Sequence, residues 1–235
     1  MTRIVIIGGG PAGYEAALVA AQHGGTVTLV DSDGIGGACV LWDCVPSKTF
    51  IASTGIRTEM RRANDLGIAI DPSQAAVALP QIHARVKSLA QDQSADIAAR
   101  VRSVGVELIA GRGEMIDTQL GMAAHRIRAT LANGSERILD ADVVLIATGA
   151  SPRVIKGAEP DGERILNWRQ LYDLDALPEH LIVVGSGVTG AEFVSAYTEM
   201  GVKVTAVSSR DRVLPHEDED AALVLEDAFN ERGVT

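Results

Sequence analysis

Two cysteines lie five positions apart in the run Gly36-Gly37-Ala38-Cys39-Val40-Leu41-Trp42-Asp43-Cys44-Val45-Pro46-Ser47-Lys48. A structural zinc site needs about four ligands at regular spacings. No histidine and no third cysteine is near, which argues against a metal. Two readings stay open. The thiols could be idle, since cysteine often serves as a small buried hydrophobe. They could instead form a redox-active disulfide. That bond needs Cα atoms ~4.4–6.8 Å apart, closer than positions i and i+5 of a regular helix, so it would require a distorted first turn. Gly36, Gly37 and Pro46 could permit one, and a strained bond is more easily reduced.

A second chemistry is written twice. Gly8-Gly9-Gly10-Pro11-Ala12-Gly13 and Gly185-Ser186-Gly187-Val188-Thr189-Gly190 both read Gly-x-Gly-x-x-Gly, each between a β-rich run and an alanine-rich helical run. In such a turn the first glycine (Gly8, Gly185) makes the tight bend, and the second (Gly10, Gly187) admits a pyrophosphate close to the backbone. The third (Gly13, Gly190) lets helix and strand pack closely, while the helix N-terminus offers free N–H groups and a positive dipole end. Twenty-three positions after Gly8 stands Asp31, a carboxylate suited to an adenosine ribose, which predicts FAD or NAD. Twenty-three positions after Gly185 stands Ser208, with Arg210 close by. A slot without a carboxylate but with a cation leans towards the 2′-phosphate of NADP(H).

These sites need elements to hold them. Strands are expected at 4–7, 26–30, 106–110, 143–147, 181–184 and 203–207. Helices are expected at 11–23, 37–62 with an interruption at Pro46, 80–103, 189–200 and 217–232. Asn133-Gly134 between 125–131 and 136–139 marks a hairpin. Pro152, Gly157, Pro160 and Gly162 mark a crossing between domains. The expected architecture is α/β: two Rossmann-like dinucleotide-binding domains, residues 1–150 for FAD with an inserted hairpin and 151–235 for NAD(P), the second one short of strands.

Composition narrows the partners. The 235 residues carry a formal charge of −10, which argues against nucleic acid or an anionic membrane held by bulk attraction. Phosphates must therefore be held by local devices such as the glycine turns. No apolar run approaches the ~18–20 residues needed to cross a bilayer, and Met1-Thr2-Arg3 leads into a run too short for a secretory signal. The expected setting is the cytoplasm.

The cysteine run resembles the signature of the pyridine nucleotide–disulfide oxidoreductases, flavoproteins that include lipoamide dehydrogenase and glutathione reductase. The resemblance extends to both glycine turns, Asp31, the Ala147-Thr148-Gly149 run, and Glu192 after the second turn. It implies FAD on the first turn with Asp31 at the ribose and Gly113 on the adenine side. It also implies an ion pair of Lys48 with Glu192 beside the flavin N5. Cys44 would face the flavin, and Cys39, as the more accessible sulfur, would exchange with substrate. None of His23, His83, His125, His180 and His216 matches a catalytic position of that family.

The implied activity is hydride transfer from NAD(P)H, leaning to NADPH, through FAD to a small-molecule or protein-bound disulfide, in a homodimer. A branch of similar bacterial flavoproteins passes electrons from flavin directly to quinones, and a nucleotide-binding module without turnover is the third expectation. Trp42-Asp43 departs from the family pattern by placing a carboxylate beside Cys44. The C-terminal dimer domain and the His–Glu pair of the family have no counterpart in these 235 residues.

Overall fold

A computed structural model describes residues 1–71, 74–118 and 125–235 of the chain. Contacts divide it into two compact units. The first comprises Met1–Val45 with Ser88–Arg153, the second Pro46–Lys87 with Val154–Thr235.

In the first unit, Ile- and Val-rich strands β1 (Arg3–Ile7) and β2 (Thr26–Asp31) flank helix α1 (Pro11–Gln22). Pro11 occupies the first helical turn, where its missing N–H is no loss. Helix α2 (Gly37–Leu41) follows, and α3 (Cys44–Asp65) begins here and continues into the second unit. The expected break at Pro46 falls instead at Trp42 and Asp43, whose N–H groups both donate to the Ala38 carbonyl. Pro46 lies within the first turn of α3, where proline fits.

Helix α4 (Leu79–Ser103) leads to β3 (Glu107–Thr118), β4 (His125–Leu131), β5 (Glu136–Ala141) and β6 (Val143–Ile146). The sheet order is β5-β4-β3-β2-β1-β6. Strand β3 runs beyond the expected 106–110. Residues Glu107–Ala110 pair in parallel with β2, and Gly111–Thr118 pair antiparallel with β4. The expected hairpin is therefore two strands of a three-stranded antiparallel meander. Its turn is as expected: Gly134 has φ +79°, and the Asn133 carboxamide accepts the Ser135 N–H at 3.0 Å. Ile6, Leu29 and Val101 fill the core on one face of this sheet, while Val5, Val30, Ile127 and Ala129 fill it on the other. At the sheet's start Arg3 hydrogen-bonds Asp142 at 2.7 Å and holds that carboxyl down at about 2.

The second unit carries parallel strands β7 (His180–Val184) and β8 (Lys203–Val207) with helices α5 (Val188–Glu199) and α6 (Glu219–Glu231). Asp218 caps α6, accepting the Asp220 and Ala221 N–H groups, so this helix begins later than expected. The Pro46–Lys87 segment joins this unit because Phe50 of α3 packs on Tyr172, Phe193 and Tyr197. The chain is therefore not divided by a single cut near residue 150. The buried Glu199 carboxylate ties three helices together: Thr58 and Arg61 of α3 donate to it, and Arg232 after α6 lies 2.6 Å away. Among the described residues, no helix is long and apolar enough to cross a membrane.

Candidate functional site

In the first unit the turn Gly8–Gly13 joins β1 to α1. Gly8 has φ +110°, a region leucine or alanine would avoid, and donates to the Val30 carbonyl at 2.8 Å. A side chain on Gly8 would run into the Ala147 carbonyl and the Thr148 N–H, so the Ala147-Thr148-Gly149 run lies against the turn. A Cβ on Gly13 would strike the Gly8 carbonyl, which is the close helix–strand packing the third glycine permits. Gly10 caps α1 in extended geometry, and a Cβ there would meet only the Gly37 Cα, at 3.9 Å. At Gly10 itself no side chain comes within 4 Å of that position, which leaves the backbone open to the close approach a pyrophosphate requires.

Asp31 ends β2 with its carboxylate turned onto this loop. It accepts from the N–H groups of Gly9 at 2.6 Å, Asp33 at 2.8 Å and Gly34 at 2.6 Å. Gly113 lies in β3, where a Cβ would press on the Ile7 side chain at 3.0 Å.

Gly36 and Gly37 bring the cysteine run to the same turn. The Gly36 N–H donates to the Gly9 carbonyl at 2.8 Å, and a Cβ on Gly37 would sit 2.7 Å from the Gly10 Cα. Helix α2, which bears Cys39, therefore starts on the glycine turn. Cys39 is half-buried in α2, whereas Cys44 is an exposed free thiol at the first position of α3. Cys39 sits mid-helix beside buried Val40, and Cys44 follows directly on the Trp42-Asp43 break.

The second unit repeats the device at its three glycines. Gly185 has φ +119° and donates to the Val207 carbonyl at 2.9 Å, as Gly8 does to Val30. Gly187 caps α5 in the same extended geometry as Gly10, and a Cβ on Gly190 would strike the Gly185 carbonyl. Gly187 has open space where a Cβ would be. The slot matching Asp31 is Ser208, whose hydroxyl lies 2.8 Å from that of Ser186 and accepts the Arg210 N–H at 2.9 Å. Arg210 is exposed. One turn into α5, the Glu192 carboxylate accepts from the Lys48 ammonium of α3. Glu192 is mostly buried and Lys48 is half-exposed.

Sequence reasoning missed two residues of this second turn. Ser186 stood only as a variable position of the glycine pattern, although it is buried. Leu214 adopts φ +47°, a left-handed conformation that leucine, unlike glycine or asparagine, does not advertise.

Residues 2–235 match the family model described as pyridine nucleotide-disulphide oxidoreductase. The chain belongs to that family. It is 71% identical over its whole length to a Mycobacterium tuberculosis protein named NAD(P)H dehydrogenase (quinone), covering 48% of that relative. It is 36% identical to a dihydrolipoyl dehydrogenase of Chlorobaculum parvum, over 99% of this chain and 48% of the relative. Among solved structures it matches LpdA of M. tuberculosis with a TM-score of 0.92 and 69% identity, over all of this chain and 50% of that one. The flavoprotein disulfide reductase RclA of Escherichia coli, 23% identical with a TM-score of 0.77 over 99% of this chain and 48% of that one, shares the fold. The chain thus spans about half the length of the relatives it matches. The doubled strand–turn–helix device is the Rossmann-like, FAD/NAD-binding fold of this family.

Proposed function

We propose that this chain serves an FAD-dependent oxidoreductase that takes hydride from NAD(P)H, with NADPH preferred, and delivers the electrons to a quinone. The observation that carries the reading is the duplication: two glycine turns of one geometry, ended by different residues, Asp31 in one and Ser208 in the other. Asp31 suits an unphosphorylated ribose, so the first turn takes FAD. The Ser208 slot lacks a carboxylate and has Arg210 beside it, so the second takes a nucleotide with a 2′-phosphate. Bound flavin supplies the hydride acceptor, a chemistry no side chain provides.

The chain's own residues bind and orient. Gly8–Gly13 and Gly185–Gly190 hold the two pyrophosphates at helix N-termini, which is how a protein of net charge −10 retains anions. Gly113 and the 147–149 run line the first nucleotide's course. The Lys48 ammonium, fixed by Glu192, offers a positive charge to the flavin N5 region, where it favours the reduced, more negative ring.

Quinone as acceptor is supported by the 71% identity to a protein of that name, and by Asp43, which sets a carboxylate beside a sulfur that would be anionic when reduced. A second reading, reduction of a disulfide such as lipoamide through Cys39 and Cys44, is supported by the presence of both cysteines and by the exposed Cys44 thiol at a helix N-terminus. One experiment separates them: NADPH-dependent reduction of a quinone and of lipoamide by the wild type and by Cys44→Ser. Quinone reduction that survives the substitution is expected. Lipoamide reduction that Cys44→Ser abolishes, with no quinone reduction by either protein, moves the assignment to the disulfide route. A colourless protein that retains neither FAD nor NADPH overturns both.

A further inference from the structure

The two glycine turns agree in one more respect, and there the second is built differently. In the first unit the carbonyl of Gly9 accepts the N–H of Gly36, a glycine at φ +102°. In the second unit the matching carbonyl, of Ser186, accepts the N–H of Leu214 at 2.7 Å. Leu214 has φ +47° and is the one non-glycine residue in the left-handed region among the described residues. The same backbone latch is thus closed by a residue that ordinarily avoids that conformation. Its side chain packs against the unit's apolar core, which holds it there.

Ser186 adds what Gly9 cannot. Its hydroxyl donates to the Arg212 carbonyl at 3.3 Å and lies 2.8 Å from the Ser208 hydroxyl. With Ser186 donating to Arg212, Ser208 donates to Ser186 and accepts the Arg210 N–H at 2.9 Å. One buried serine therefore tethers the 208–214 segment at residues 208, 212 and 214. A fourth tie, the Val213 N–H donating to Glu226 at 2.7 Å, fixes the segment to α6. The Arg212 guanidinium is engaged by Glu219 at 3.2 Å, which leaves Arg210 as the cation facing outward from the tethered segment.

We propose that Ser186 and Leu214 form a latch that presents Arg210 to the 2′-phosphate of a phosphorylated adenine dinucleotide, making them positioning residues for coenzyme discrimination. The inference rests on the nucleotide assignment of the second turn given above. A pyrophosphate on Gly185–Gly190 is common to NADH and NADPH, whereas only NADPH reaches the tethered segment with an extra dianion. Loosening the latch should therefore cost NADPH affinity and spare NADH.

Equilibrium titrations with NADPH and with NADH, on the intact protein, read this directly as the ratio of the two dissociation constants. Ser186→Ala should cut the preference for NADPH by at least about fivefold, the loss of one well-placed polar interaction, with NADH affinity held within about twofold. Ser208→Ala removes the same hydroxyl pair from the other side and should repeat the loss, which keeps the test open should one variant fold poorly. Leu214→Gly retains the donating N–H and the positive φ, and should keep the preference. Equal losses for both nucleotides, or an unchanged ratio in Ser186→Ala and Ser208→Ala, overturn the latch alone. A wild type that prefers NADH overturns the 2′-phosphate assignment of the second turn, and the latch with it. A wild type that binds neither nucleotide overturns that assignment and the latch with it.

Discussion

The Asp31 carboxylate accepts the Gly9 N–H at 2.6 Å, so the end of β2 is fastened to the turn that follows β1. Its other oxygen takes the N–H groups of Asp33 and Gly34. Asp31→Asn points an amide NH2 at one of these donors and breaks at least one bond, at a cost of about 1–3 kcal/mol. Flavin content after purification should fall, and the denaturation midpoint with it. Full flavin retention at an unchanged midpoint would show that the carboxylate is not the fastening.

Gly37 offers a matched comparison with Gly24. Both have positive φ, +57° and +80°. A Cβ on Gly24 meets nothing within 4 Å, whereas on Gly37 it sits 2.7 Å from the Gly10 Cα. Alanine at either position carries the left-handed penalty, about 1–2 kcal/mol. Only Gly37→Ala also pushes the cysteine run off the glycine turn. Gly24→Ala should lower the melting temperature modestly and keep flavin absorbance. Gly37→Ala should lose flavin, and equal behaviour of the two would deny the stacking of Gly37 on Gly10 any role in binding.

The Lys48–Glu192 pair should matter more to rate than to stability. Lys48 is half-exposed, so the pair contributes no more than about 1 kcal/mol to folding. Lys48→Met removes the positive charge proposed to lie beside the flavin. Flavin reduction by NADPH in rapid mixing should slow at least about tenfold, equivalent to roughly 1.4 kcal/mol of lost stabilisation. A large fall in melting temperature with an unchanged reduction rate would make the pair purely structural.

Buried His83 stands 5.7 Å from Phe50 and 6.2 Å from Tyr172, ring centre to ring centre. Burial lowers its pKa, Lys87 adds to that, and the Leu174 backbone and Asp173 oppose it. The folded protein therefore takes up this proton less readily than the unfolded chain, whose histidine titrates near 6.5. Stability from this group is fully present above that value and is lost as pH falls through it towards the lower folded value. The melting temperature should drop on acidification below about pH 6.5, and His83→Gln should flatten that part of the profile. A steeper acid loss in the variant would reverse the sign and refute the assignment.

What the sequence disclosed was the repeated local pattern. Glycines at fixed offsets between a β-branched run and an alanine-rich run specify strand, turn and helix from neighbouring residues alone, so both devices and the Asp31 and Ser208 slots were legible. The Lys48–Glu192 pair spans 144 positions and was reached only through family resemblance. The extension of β3 to Thr118 depends on β4 as partner, which no local propensity encodes. Grouping of Pro46–Lys87 with the second unit follows from Phe50 finding an aromatic core more than a hundred residues away. The positive φ of Leu214 was invisible because tertiary packing, not residue type, enforces it.

Arg210 and Arg212 are two residues apart and are predicted to differ sharply in their effect on coenzyme choice. The Arg212 guanidinium is 3.2 Å from Glu219 and also donates to the Glu217 carbonyl at 3.4 Å, so its charge is already partly answered. Arg210 is exposed and makes no ion pair among the described residues. Arg210→Ala should weaken NADPH by about tenfold, the worth of a charge-assisted hydrogen bond in a solvated site, and leave NADH nearly unchanged. Arg212→Ala should weaken NADPH less. Because the contact is exposed, the NADPH preference of the wild type should itself shrink as salt is raised from about 0.01 to 1 M, where the screening length falls from about 30 to 3 Å. Parallel titrations of both nucleotides across that range check the point, and a salt-independent preference would mean that shape rather than charge selects the coenzyme.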